Sequence, residues 1–139
     1  MELPRLIEGS NYLDERGTLS FVNDFSMKEV QRFYVIKHPN THITRGWRAH
    51  KMEQRWFYVT KGAFEIKLIA IDNWEVPNPE LAQTVFNLKE ESSNVLHVPK
   101  GYATCLRALS NDSQVIVYAD YDIIHAKNDE YVYPLTYFK

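Results

Sequence analysis

Along this chain the apolar positions recur every second residue or gather in short aromatic and β-branched blocks, and no clean window shows the 3.6-residue period of an amphipathic helix. This pattern predicts strands at Leu19–Asn23, Arg32–Lys37, Gln54–Thr60, Ala63–Asp72, Gln83–Leu88, Val95–Val98, Ala103–Leu109 and Gln114–Tyr121. Turn-favouring residues separate them at Asp14–Gly17, Thr60–Gly62, Asp72–Pro79, Pro99–Gly101 and Ser110–Ser113. Many short strands at this spacing define an all-β antiparallel sandwich or barrel. Asn73–Glu80, with Pro77 and Pro79, is expected as a surface loop, and Ser26–Glu29 as one helical turn capped by Ser26. The closing residues Tyr131–Lys139 are aromatic, so they are expected to dock on the body or to face a second subunit.

Length and charge narrow the classes. At 139 residues the chain fits one domain over 1–139, without room for separate cofactor and substrate lobes. A net charge of −2 supplies no global positive field, which argues against nucleic acid as a partner. No apolar run reaches the roughly 18 residues of a membrane span. The lone Cys105 has no disulfide partner and the opening residues carry no apolar leader core, so the cytoplasm is the expected location.

The stretch richest in chemistry is Arg45-Gly46-Trp47-Arg48-Ala49-His50-Lys51. If it is extended, alternation sets Arg45, Trp47, Ala49 and Lys51 on one face and Gly46, Arg48 and His50 on the other. An arginine beside a histidine lowers the imidazole pKa, keeping His50 neutral and able to accept a proton near pH 7. A solvated basic strand edge is the plainer alternative.

These residues resemble the cupin-fold nucleotide-sugar enzymes, the dTDP-4-keto-6-deoxyglucose 3,4-ketoisomerases (WxcM-like) and, more remotely, the dTDP-4-dehydrorhamnose 3,5-epimerases. The likeness runs from Asp14-Glu15-Arg16-Gly17-Thr18-Leu19 through Arg32-Phe33-Tyr34 and centres on Arg45–Lys51 followed by Gly62. It continues in Val98-Pro99-Lys100-Gly101-Tyr102-Ala103 and Tyr118-Ala119-Asp120-Tyr121. It implies a small cupin, an antiparallel β-sandwich of jelly-roll type, that acts on a dTDP-linked sugar by enediolate proton transfer as a homodimer, without cofactor or metal. His50 is then the base, Arg48 an oxyanion stabiliser, and Tyr34 a proton donor or hydroxyl ligand. Arg45 is a diphosphate ligand, with Lys51, Tyr58 and Tyr118 as further substrate contacts.

Two positions depart from the family pattern. Arg48 stands where the ketoisomerases place the first of two histidines, and Thr104 where the epimerases place one after the Pro-x-Gly turn. With these gone, His50 with Glu53 or Gln54 makes too small a ligand set for a metal, against a metal-dependent cupin oxygenase. The same losses raise an alternative, a non-catalytic cupin that binds a sugar nucleotide or a protein partner. Trp47, Trp56 and Trp74 could stack on a base or sugar or belong to the core or a subunit interface. His97 and Cys105 are expected as packed residues, and His38, His42 and His125 as surface ones.

Overall fold

The computed structural model describes the whole chain, Met1–Lys139. Its first strands are β1 (Arg5–Ile7), β2 (Ser10–Asp14), β3 (Gly17–Phe21), β4 (Arg32–His38), β5 (Thr44–His50) and β6 (Arg55–Lys61). They continue as β7 (Ala63–Ala70), β8 (Thr84–Lys89), β9 (Val95–Val98), β10 (Tyr102–Ala108), β11 (Ser113–Ala119) and β12 (Tyr131–Val132), with a 3₁₀ turn at Glu90–Ser92 after β8 and one short α-helix, α1 (Ile123–Ala126), before β12. One five-stranded sheet has the order β1-β9-β6-β11-β4 and a second the order β12-β5-β10-β7-β8, every pairing antiparallel. The two lie face to face as a small cupin-type β-sandwich, with β2 and β3 as a separate hairpin.

Alternation decides which side chains fill the interior. In β11, Ser113, Val115, Val117 and Ala119 are buried, while Gln114, Ile116 and Tyr118 on the opposite face are half-buried. Phe64, Ile66 and Leu68 of β7 meet Phe57 and Val59 of β6 and Leu96 and Val98 of β9 in a core of fourteen buried residues. Each such apolar side chain contributes about 1.5–3 kcal/mol by leaving water. β10 is buried on both faces nearly throughout, only Arg107 being half-exposed. Its outward Ala103 and Cys105 pack with Trp47, Ala49 and Phe138 in a second cluster roofed by the C-terminal segment.

The expected strands are all present within one to two residues at most ends, and Asn73–Glu80 contains no regular element. Ser26–Glu29 is not helical. Ser26 Oγ accepts from the amide of Lys28 at 3.3 Å, a turn with no apolar helical stripe after it to propagate into a helix. β1, β2 and β12 are additions to the expected set, β5 gives the Arg45–Lys51 stretch the extended form considered for it as far as His50, and α1, which Asp122 caps by accepting from the amide of His125, is a further addition. The C-terminal aromatics do dock: Phe138 meets Trp47 edge-on with ring centroids 5.3 Å apart. No helix is long and apolar enough to cross a membrane.

Candidate active site

Between the sheets, at the end where α1 and β12 approach, a cavity of about 410 Å³ opens. Strand β5 supplies one wall. Thr104 of β10 stands opposite Arg48 and Leu106 opposite Arg45, so Gly46 and Trp47 together face Cys105 alone. This is a β-bulge, and it reverses the parity of the strand. Gly46 permits it: a Cβ there would lie 2.8 Å from Cys105 Cα and 2.9 Å from the Thr104 carbonyl oxygen. Strict alternation sets Arg45 on the face away from Arg48 and His50, whereas the bulge turns all three toward the cavity.

His50 lies at the deep end, 5% exposed. Its Nδ1 is 2.9 Å from the carbonyl oxygen of Asp129. A carbonyl can only accept, so Nδ1 carries the hydrogen and Nε2 keeps its lone pair. Burial pushes the imidazole pKa down to about 3, and the charges of Arg55, Arg48 and Arg32 act the same way, partly opposed by the Asp129 contact. His50 is therefore a neutral acceptor at physiological pH. Asp129 also fixes the turn after β5, its carboxylate accepting from the amides of Lys51, Met52 and Glu53 at 2.9, 3.0 and 2.8 Å.

Behind His50 sits Glu53, 1% exposed. Its Oε1 accepts from Arg32 Nη2 at 2.8 Å. Its Oε2 has no hydrogen-bond partner, lying 3.5 Å from His50 Nδ1 and 4.0 Å from Arg55 Nε. Burial raises the carboxyl pKa, and the charges of Arg55 and Arg32 oppose that rise. Arg55, 4% exposed, donates from Nη2 to Thr104 Oγ1 at 3.2 Å and lies 5.4 Å from the Phe57 ring centroid. A guanidinium has five N–H donors, and this one spends a single hydrogen bond on the protein.

The expected residues divide. His50, Arg48, Arg45 and Tyr34 all line the cavity. Tyr34 carries the Arg32 guanidinium 5.3 Å from its ring centroid. Arg48 sits at the mouth, its half-exposed side chain paired with Glu130 at 2.9 Å. Arg45 is exposed and pairs with neither Asp14, which holds Arg16, nor Asp120, which holds Gln54. Lys51 lies outside, its Nζ 6.0 Å from the Trp74 ring centroid. Tyr58 and Tyr118 are on the outer face of the first sheet, where they pack with Trp56 and Phe25, and so do not meet the cavity. The bulge ends before Lys51, and the tyrosines obey plain alternation against the inward Phe57 and Val117.

His97 is buried as expected, stacked on Trp56 at 5.2 Å with Nε2 2.8 Å from Gln54 Oε1. His38 is buried as well, against Phe64, rather than at the surface. β4 continues one residue past the expected end at Lys37, and alternation sets His38 on the same inward face as Ile36.

Arg55, Glu53, Arg32 and Asp129 complete the site beyond the residues the sequence marks as catalytic or substrate-binding. Arg55 had a signal: it shares the inward face of β6 with Phe57 and Val59, an odd place for a cation. Asp129 had none, being 79 positions from His50.

Five cations, Arg32, Arg45, Arg48, Arg55 and Lys127, thus surround the cavity against Glu130 and the buried Glu53, which suits an anionic ligand with a charge-accumulating centre beside His50. Fold and cavity define a cupin with one neutral histidine set among arginines. The chain belongs to the FdtA family, WxcM-like, C-terminal, whose model matches residues 2–139.

Solved structures share the fold. A point mutant of the 3,4-ketoisomerase QdtA from Thermoanaerobacterium thermosaccharolyticum, in complex with TDP-4-keto-6-deoxyglucose, is 20% identical with a TM-score of 0.69, over 91% of this chain and 85% of that one. The dTDP-4-dehydrorhamnose 3,5-epimerase from Bacillus anthracis str. Ames, with TDP and PPi bound, is 18% identical with a TM-score of 0.70, over 88% and 75%. The 3'-monoepimerase ChmJ from Streptomyces bikiniensis, in complex with dTDP-quinovose, is 12% identical with a TM-score of 0.76, over 95% and 70%. No curated protein matches the sequence.

Proposed function

We propose that this chain is a nucleotide-sugar isomerase or epimerase that moves a proton on a dTDP-linked 4-keto-6-deoxyhexose through an enediolate, in deoxysugar biosynthesis. The observation that carries the reading is the fixed tautomer of His50: Nδ1 is committed to Asp129, and Nε2 is a free acceptor in a cavity lined with arginines. Family membership and the TDP or dTDP-sugars held by the structural neighbours support the substrate class.

In this account Nε2 of His50 takes the proton from the carbon next to the keto group. The C–H electron pair moves into the new C=C bond, and the carbonyl oxygen gathers negative charge. Arg55, with unspent donors beside His50, holds that oxygen. Tyr34 stands in the cavity as the hydroxyl that exchanges a proton with the sugar. Arg45 and Arg48 at the mouth take the diphosphate, Arg45 being free of any carboxylate and Arg48 able to trade Glu130 for phosphate oxygens. No cofactor or metal enters the scheme, and Cys105, a single buried thiol, suits the reducing cytoplasm.

A second copy of the chain completes the picture as a homodimer. The β2–β3 hairpin stands apart from both sheets and leaves Tyr12, Leu13 and Leu19 58%, 74% and 63% exposed, apolar surface suited to a partner.

The test is incubation with dTDP-4-keto-6-deoxyglucose and product identification by NMR. A 3-keto isomer or an epimer at C3 or C5 supports the reading, and recovery of unchanged sugar by protein shown to bind dTDP opposes it.

A further inference from the structure

Glu53 is costly where it stands. A buried carboxylate oxygen without a hydrogen bond loses solvation and gains nothing directional in return. Arg32 secures Oε1, yet Oε2 is left 3.5 Å from His50 Nδ1, just beyond hydrogen-bond range. The surroundings of His50 show what that oxygen is for. Arg55, Arg48 and Arg32 all oppose a positive imidazole, and the Asp129 carbonyl offers a dipole but no charge. Once Nε2 accepts a proton, Glu53 is the carboxylate with an oxygen left over to offset them: that of Asp129 is engaged by the amides of Lys51, Met52 and Glu53, and Glu130 is tied to Arg48 at the mouth.

We propose that Glu53 is a positioning residue for His50, a buried counter-charge whose Oε2 shares the Nδ1 hydrogen with the Asp129 carbonyl when the imidazole becomes imidazolium. The inference rests on the reading of His50 as the base. In the resting enzyme the gap leaves His50 neutral and ready to accept. In the charged state the imidazolium draws Oε2 in, which strengthens a base that three arginines otherwise weaken, and makes the proton transfer reversible. The proton itself stays on Nε2, and Glu53 takes none.

Glu53→Gln keeps the shape and an acceptor for Arg32 and removes the charge. The expected result is a 10- to 100-fold lower kcat on dTDP-4-keto-6-deoxyglucose, with dTDP affinity within twofold of wild type. Because burial disfavours the ionised carboxyl, the variant should melt no lower than wild type near pH 7. Glu53→Asp, which withdraws the carboxylate by one methylene, should fall between the two in kcat. Loss of kcat together with dTDP affinity and melting temperature would mean a structural brace and overturn the proposal, as would a kcat within twofold of wild type.

A readout independent of turnover is the Nδ1–H resonance of His50 in the ligand-free, ¹⁵N-histidine-labelled protein. It should move upfield in Glu53→Gln as the carboxylate charge is lost, and an unchanged resonance overturns the proposal. Full activity in His50→Asn would instead remove the base assignment itself, so the two failures are distinguishable.

Discussion

His50 Nδ1 lies 2.9 Å from the backbone carbonyl of Asp129, a residue 79 positions away in the chain. That contact sets the tautomer of the only histidine lining the cavity and leaves Nε2 as the acceptor. The Asp129 side chain meanwhile braces the turn that follows His50, so one residue both orients the imidazole and anchors the strand that carries it.

Asp129→Ala keeps the carbonyl and deletes the brace. Three backbone amides, of Lys51, Met52 and Glu53, lose a charged acceptor. Hydrogen bonds to charged groups contribute about 1.5–3 kcal/mol each, and water can reach part of this turn, so a net loss of about 2–4 kcal/mol is expected. Urea unfolding checks it, and a change below 0.5 kcal/mol, the scatter of an ordinary surface substitution, would show that the brace is dispensable.

Acid should destabilise the fold through His50. Its pKa is about 3 in the folded chain against an ordinary value of 6.5. Between those values the unfolded chain binds a proton that the folded one refuses, so stability is full above pH 6.5 and falls as pH drops toward 3. The slope is about 1.4 kcal/mol per pH unit for this one group. His97 and His38, also depressed by burial, add to the same limb. His50→Asn should flatten the fall measurably between pH 6.5 and 4.5, and melting curves of the two proteins would reveal a matching decline if His50 were not responsible.

Arg55 and Arg48 should part company in kinetics. Arg55→Met removes the buried guanidinium beside His50, with an expected loss of 10²- to 10³-fold in kcat and little change in dTDP affinity. Arg48→Ala removes a half-exposed side chain already paired with Glu130, and should act on KM rather than kcat. The reverse pattern would return the oxyanion role to Arg48. Thr104→Val strips Arg55 of its protein hydrogen bond while keeping the guanidinium, at the further loss of the long 3.5 Å contact from Thr104 Oγ1 to the Arg48 carbonyl, and so separates a positional effect from a direct one.

Much of the fold was legible because alternation is strong where one face is buried. β11 reads as Val115, Val117 and Ala119 inward with Ile116 and Tyr118 outward, and β7 likewise carries Phe64, Ile66 and Leu68 to the core. β1 and β12 are only three and two residues long and obtain their partners from distant chain, Leu6 opposite Leu96 and Tyr131 opposite Ala49, so no local period announces them. Local chemistry likewise pointed to His50, Arg48 and Arg45, although the bulge at Gly46 defeats parity counting and decides that Arg45 joins the other two. Lys51, Tyr58 and Tyr118 fall outside the cavity because motif proximity says nothing of which face a side chain takes. The Glu53–Arg32 pair and the Asp129 clamp arise from tertiary approach of β4, β6 and the α1–β12 segment, which sequence spacing does not encode.

Whether His50 takes a proton from carbon is tested most directly by incubating the protein with dTDP-4-keto-6-deoxyglucose in D₂O. Deuterium entry at each sugar carbon is followed by NMR and mass spectrometry, beside His50→Asn. Deuterium is expected at C4 of a 3-keto product when the proton passes from C3 to C4, or at C3 or C5 when the sugar is epimerised or exchanged beside the keto group, and none in the variant, while dTDP still raises the melting temperature of both proteins. Sugar that stays unlabelled in the wild type, with binding shown in the same tube, would contradict it and leave a cupin that holds a sugar nucleotide without turning it over.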